Sequence, residues 1–160
     1  MGTAGLSLGG MALAPAAGAT SGAHFFGDTG ASIVQSGPNQ GQLLVQIDEA
    51  GLGNQDVYYH IPWTSSATWA CINGGGNHPK AANKETVSSS GSTDVNIQAK
   101  NGRVQATVPV ADTPPGPGSF SCPPGQRLVL ASVSYSVTIN DTTNGVSAGP
   151  FTPSATFYNV

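Results

Sequence analysis

Residues 127–140, RLVLASVSYSVTIN, decide the fold of this chain. Apolar and hydroxyl side chains alternate along most of this stretch. Because successive side chains of a β-strand point to opposite faces, the alternation predicts one long strand with one buried face. Such a one-sided strand is typical of the packed face of a β-sandwich. The expected inward residues are Val129, Ala131, Val133, Tyr135, Val137 and Ile139, and the expected outward ones are Ser132, Ser134, Ser136 and Thr138.

The same period of two recurs in several shorter runs. Apolar residues alternate over 42–48, 57–61, 63–71 and 155–157, and more weakly over 31–35 and 86–90. Together these runs give about seven to nine short strands separated by turn residues. We therefore predict an all-β fold, a two-sheet antiparallel immunoglobulin-like sandwich with one disulfide. A small closed β-barrel is the alternative.

A hairpin is predicted around Asn101-Gly102, because a type I′ turn needs positive φ at both central positions. Pairing outward from that turn places Ala99 opposite Val104, Ile97 opposite Ala106 and Val95 opposite Val108. All six residues then share one face, so turn chemistry and hydrophobic register agree.

Composition indicates a secreted domain. Charged residues make up 8% of the chain, whereas about 25% is usual. Lys and Arg total only 5, which disfavours nucleic acid as a partner, since phosphate binding needs a basic face. Cys71 and Cys122 are the two cysteines, and a bridge between them would tie the proline-rich segment 113–125 to a strand in an oxidising compartment. No run approaches the roughly 20 apolar residues of a membrane helix.

The chain divides into two parts. Residues 1–22 contain a short apolar run followed by small-x-small sites, so we interpret them as a signal-peptide remnant, or else as a flexible or donor N-terminal tail. Residues 23–160 form the predicted β-sandwich domain.

The segment 72–84 is the most distinctive polar connection. Its glycines free the backbone, and it is either a recognition loop or a connector between sheets. The predicted binding residues are Asn73, Asn77, His78, Lys80 and Lys84, together with Tyr58, whose parity places it on an outward face. The loop 48–56 is a second predicted contact surface.

No catalytic residues are predicted, because no nucleophile elbow and no pair of carboxylates stands out. No cofactor is expected. Asp48, Glu49 and Asp56 could supply oxygen ligands to Ca²⁺, but their spacing is irregular, and a solvated hairpin connection is the competing interpretation. His60 is interpreted as a half-exposed strand residue rather than a metal ligand. Trp69 is expected to pack in the core against the disulfide, and exposed aromatic rings elsewhere would suit stacking on sugars.

One loop motif carries a resemblance. The motif runs from Trp69 through Cys71 and Asn73-Gly74-Gly75-Gly76-Asn77 to Lys84, and the segment 115–126 follows it. It resembles a set of small secreted β-sandwich proteins from filamentous soil bacteria. The resemblance implies secretion and a disulfide, and it implies no activity. The chain is also broadly similar to the enediyne-binding apoproteins, which are immunoglobulin-like sandwiches with two disulfides. Because this chain can form only one, their chromophore pocket is not carried over.

Three functions follow as hypotheses. The first is a non-catalytic extracellular binding or surface-interaction module; the sequence does not identify its extracellular partner, and a glycan and the cell wall are candidates. The second is a self-assembling subunit of an extracellular filament or surface layer, whose partners are other copies of the chain. The third is a small secreted hydrolase or inhibitor.

Overall fold

A computed structural model gives the fold and describes residues 22–73, 83–110 and 114–160. In these ranges the chain forms β-strands and no helix. The strands are β1 (His24–Phe25), β2 (Gly30–Ile33), β3 (Leu43–Ala50), β4 (Asp56–Asn73), β5 (Lys84–Gln98), β6 (Arg103–Val110), β7 (Gln126–Asp141), β8 (Val146–Phe151) and β9 (Ser154–Thr156). The expected boundary after residue 22 and the N-terminal segment before it concern residues that lie almost wholly outside these ranges.

The strands form two antiparallel sheets that do not close into a barrel. In the five-stranded sheet, β4 lies between β5 and β7, and β8 and β9 share the other side of β7. In the four-stranded sheet, β3 lies between β6 on one side and β1 and β2 on the other. The predicted two-sheet antiparallel sandwich is confirmed.

The core lies between the two sheets. Val45 and Ile47 of β3 are buried against Tyr59 and Ile61 of β4 and their neighbours on β7. These residues occupy the faces that the period of two predicts as inward, because most of the apolar area of each sheet leaves water on the side that faces the other sheet. No helix in the described part of the chain is long and apolar enough to span a bilayer.

The Asn101-Gly102 turn forms as predicted, but the hairpin beyond it does not. Asn101 and Gly102 have φ values of 52° and 78°, and Lys100 and Arg103 bond to each other's backbone. Beyond this bridge the strands separate, because β5 pairs with β4 and β6 pairs with β3. The two strands therefore belong to different sheets, and the predicted cross-strand pairs of 95–99 with 104–108 are wrong. Their inward parity survives because both sheets face one core.

A β-bulge corrects the predicted face of two residues on β7. Thr68 pairs with Ser132, whereas Trp69 pairs with Leu130, so β7 carries one extra residue between them. A bulge of this kind reverses the parity of the residues beyond it. Leu130 consequently joins the main core, and Val129 and Ala131 pack on the opposite face of the sheet.

The segments 57–61 and 63–71 form one strand rather than two. β4 runs for 18 residues and includes Pro62. Against β7, His60 pairs with Asn140 and Trp63 pairs with Val137. Pro62 lies in the interval between these pairs, where β7 supplies no partner, and so the strand tolerates a residue without an N–H.

Candidate binding site

The Cys71–Cys122 disulfide fixes the proline-rich segment against β4. The two Cα atoms are 5.5 Å apart, and Cys71 is buried. The bridge confirms the predicted pairing. Trp69 makes a second tie, because its indole N–H donates to the carbonyl of Pro115 over 2.8 Å. An extended, proline-rich connection is thus held at two points in space.

A pocket of about 550 Å³ opens beside these ties, and we call it the disulfide-end pocket. It lies between β7, the 114–117 segment and the turn at 37–40. Its wall combines apolar and aromatic side chains with the side chains of Gln40 and Arg127, and polar atoms supply at least as much of the exposed wall as apolar ones. Among the residues that line it are Pro38, Trp69, Pro114, Pro117, Leu130 and Tyr158.

The bulge on β7 shapes one wall of the pocket. The carbonyl of Ala131 accepts backbone N–H bonds from Phe157 (2.7 Å) and Tyr158 (3.1 Å), which draws the segment after β9 across the strand. The guanidinium of Arg127 lies over the ring of Tyr158, 5.9 Å from its centroid. Arg127 is exposed, and it is the one charged side chain among the described residues that line the pocket. The pocket therefore carries a positive charge at an aromatic wall.

The root of the predicted recognition loop lies at the same end. The backbone N–H of Cys71 donates to the carbonyl of Asn83 over 2.9 Å, which brings the two ends of the loop together. Asn73 is the last residue of β4, and Lys84 is the first residue of β5. The ammonium nitrogen of Lys84 lies 3.4 Å from the carbonyl oxygen of Val160. The other three predicted binding residues, Asn77, His78 and Lys80, lie outside the described residues.

Tyr58 lies far from Asn73 and Lys84, the two other predicted binding residues that the structure describes. It pairs with Asn96, whereas Lys84 pairs with Ala70 at the opposite end of the same ladder, about 40 Å away at the usual rise of a strand. Tyr58 is 54% exposed, as its parity predicts. It lines a separate depression with His60. His60 is half-exposed, and its Nδ1 lies 2.6 Å from Oδ1 of Asp94. Tyr58 therefore does not share a site with Asn73 and Lys84.

The three carboxylates of the loop 48–56 point to different places. Asp48 and Glu49 are adjacent on β3 and face opposite sides of the sheet, and Asp56 is exposed at the start of β4. Asp48 accepts two bonds from the Arg103 guanidinium, at 2.9 and 3.1 Å, and this pairing holds the pKa of Asp48 below its usual value. Within the described ranges no three His, Cys, Asp or Glu side chains cluster in a way that could hold a metal ion.

Glu49 belongs to a buried polar group between the sheets. Its Oε2 accepts a 2.7 Å hydrogen bond from the Tyr59 hydroxyl, and its Oε1 is buried without a donor. Burial raises the pKa of Glu49 to about 8; the Tyr59 hydrogen bond opposes this rise, and contact with Asp141 adds to it. With a pKa of about 8, Glu49 is mainly protonated at neutral pH.

The outer side of the five-stranded sheet carries rows of hydroxyl groups, which we call the hydroxyl face. Ser66 lies between Ser88 and Ser134, and the next row repeats this arrangement with other Ser and Thr residues. The face forms a shallow depression of about 710 Å³. The second row is Ser90, Thr64 and Ser136.

Sequence reasoning missed the disulfide-end pocket because its walls come from distant segments. The proline run and the parity of Trp69 indicated that something packs near Cys71. Neither signal brings Arg127 and Tyr158 to the same place, because that depends on the bulge and on the path after β9. No family model, curated protein or solved structure matches this chain.

Proposed function

We propose that the protein is a secreted, non-catalytic binding module whose ligand occupies the disulfide-end pocket. The pocket itself carries the proposal: its volume of about 550 Å³ lies in the range of small-ligand sites, and its open wall offers aromatic rings beside polar groups. The disulfide and the Trp69–Pro115 bond hold the wall in place before a ligand arrives. Such preorganisation lowers the entropy that binding must overcome.

The pocket favours a ligand with a ring and a negative charge. Trp69 and Tyr158 offer aromatic surface for ring contact, and the Arg127 guanidinium can accept a carboxylate or phosphate in its planar fork. We therefore propose an acidic sugar unit of an extracellular glycan or a cell-wall polymer. The disulfide supports an oxidising, extracellular location, since such bridges rarely persist in the cytosol.

The test is a binding screen with the full chain against neutral and acidic glycans and isolated cell-wall polymers. We expect binding to the acidic members, weakening as salt rises because an ion pair contributes. Arg127→Gln should lower the affinity about tenfold or more, whereas Lys100→Gln, an exposed cation on the Asn101-Gly102 turn, should leave it unchanged. Equal affinity in both variants, or binding restricted to neutral glycans, would contradict the assignment.

A further inference from the structure

The outer edge of β5 is long, and no other strand of the described residues covers it. β5 has 15 residues, and in the described part of the chain it pairs only with β4, with no break in register. From Thr86 to Thr93 it contains no charge and no proline. Unpaired N–H and C=O groups along such an edge form a template for another strand.

The other edges of the two sheets are short or interrupted. β6 has 8 residues and contains Pro109, and β8 has 6 residues and contains Pro150. β9 has only 3 residues. Short strands and prolines are the usual protection against edge pairing, and β5 has neither.

We propose that the β5 edge binds the β5 edge of a second copy, antiparallel and around a two-fold axis at Ser89. In this register Lys84 of each copy lies directly opposite Asp94 of the other. Ser89 lies midway between these two residues in the sequence, so both ion pairs form at once by symmetry. The proposed partner is therefore a second copy of the same chain.

The charges of β5 select this register. Direct partners across a two-fold axis must have the same parity, because otherwise their side chains would lie on opposite faces. Lys84 and Asp94 share a parity, and Glu85, the remaining charged residue of the strand, has the other. Aligning Lys84 or Asp94 with itself would oppose like charges. Both side chains are exposed and also have a partner in their own chain: Asp94, 75% exposed, has its Oδ1 2.6 Å from Nδ1 of His60, and Lys84 has its Nζ 3.4 Å from the carbonyl oxygen of Val160. In the dimer each would share that partner with the second copy.

Pairing would also extend the hydroxyl face across both copies. In the proposed register Ser88 lies beside Ser90 of the second copy, and Thr86 lies beside Ser92. Hydroxyl side chains in direct cross-strand positions stabilise antiparallel pairs. The disulfide-end pocket plays no part in the pairing, so the proposed dimer stands apart from the binding function.

Charge exchange tests the dimer with the full chain. Sedimentation velocity should show association that strengthens with protein concentration and weakens with salt. Lys84→Glu and Asp94→Lys should each weaken association about tenfold or more, because each opposes like charges at two positions. Mixing the two variants should restore a dimer of one copy of each. Lys100→Glu, which changes the net charge equally, should behave as the parent.

Cross-linking tests the register independently. Oxidation of Ser89→Cys should give a covalent dimer, since the two copies meet at this residue, whereas Ser92→Cys should not. A strict monomer at every concentration would overturn the proposal and leave residues 1–21 as the segment to test against this edge. Association that ignores the charge variants, or cross-linking that is equal at both positions, would overturn it as well.

Discussion

Gly91 lies directly across from Trp63 in the ladder between β4 and β5. A Cβ atom at this position would stand 2.7 Å from Cζ2 of the Trp63 indole. Glycine is therefore required here by the aromatic ring that covers it, and not by its backbone angles. The close approach also explains why an edge strand keeps a residue that otherwise weakens strands.

Gly91→Val should destabilise the fold by about 1–3 kcal/mol, because the indole must leave its packed position. Urea unfolding followed by tryptophan fluorescence measures this directly. Ser92→Val, the next position on the edge, is exposed and should change the free energy of unfolding by less than about 0.5 kcal/mol. Equal stability of the two variants would contradict the packing of Trp63.

Glu49 gives the fold a dependence on pH. Its folded-state pKa, about 8, lies above the unfolded value of 4.5, so the folded state binds a proton that the unfolded state releases. The stability contributed by this proton is complete below pH 4.5 and is lost as the pH rises through about 8. Asp48 acts in the opposite sense, since its lowered pKa gives stability that is lost as the pH falls through that value.

Glu49→Gln isolates the contribution of Glu49, because the neutral amide keeps the shape of the protonated acid. Relative to the parent, we expect the free energy of unfolding of the variant to rise between pH 4.5 and pH 8 by on the order of 3 kcal/mol. Denaturant unfolding at a series of pH values measures the difference. Asp56→Asn, at an exposed carboxylate, should leave the slope unchanged. Parallel curves for Glu49→Gln and the parent would mean that Glu49 is ionised when folded.

At the scale of the strand, the sequence predicted which side of the sheet a residue faces better than it predicted which strands pair. The period of two placed Val45, Ile47 and Tyr59 inward correctly, because alternation follows from the backbone itself. The partner of a strand depends on where the chain goes after the turn, and a two-residue turn permits both a hairpin and a crossing between sheets. No sequence pattern indicates the extra residue at Ala131. The alternation therefore placed Val129 on the wrong face of the sheet.

Engineered cysteines distinguish the two partners of β6. Thr107 lies opposite Gln46 of β3 in the structure, whereas the hairpin register would place it opposite Asn96. We expect Gln46→Cys with Thr107→Cys to form an intramolecular disulfide, and Asn96→Cys with Thr107→Cys to remain reduced, because a bridge needs Cα atoms within about 7 Å. Mass spectrometry after mild oxidation reads the outcome. The reverse pattern would show that β6 pairs with β5 in a hairpin, and it would contradict the two-sheet arrangement.

At the scale of the whole molecule, one covalent bond joins the sheet to its longest connection. Cys71 and Cys122 are 51 positions apart, and closing such a loop stabilises the fold by roughly 4 kcal/mol in the chain-entropy model. Reduction should therefore lower the melting temperature by about 10 °C or more. A calorimetric scan with reduction verified by mass spectrometry provides the measurement. An unchanged transition would show that the bridge adds no stability.

The two ends of the sandwich have different characters. The disulfide end holds the pocket, Arg127 and the root of the 72–84 loop, and the far end holds Tyr58 and the loop that follows β3. The sequence predicted contact surfaces on the loops 72–84 and 48–56, and Tyr58 as an outward-facing aromatic residue. β4 spans the distance between the two ends of the sandwich and so holds Tyr58 apart from Asn73.

The two tryptophans allow the most direct test of the binding site. Trp69 lines the disulfide-end pocket and donates its indole N–H to Pro115, whereas the indole nitrogen of Trp63 is buried without a hydrogen bond. Their two indole signals can be followed by NMR during titration with an acidic oligosaccharide. We predict that the Trp69 signal shifts saturably while the Trp63 signal stays in place. A Trp69 signal that does not respond to any acidic ligand that binds the protein would contradict the assignment of the pocket.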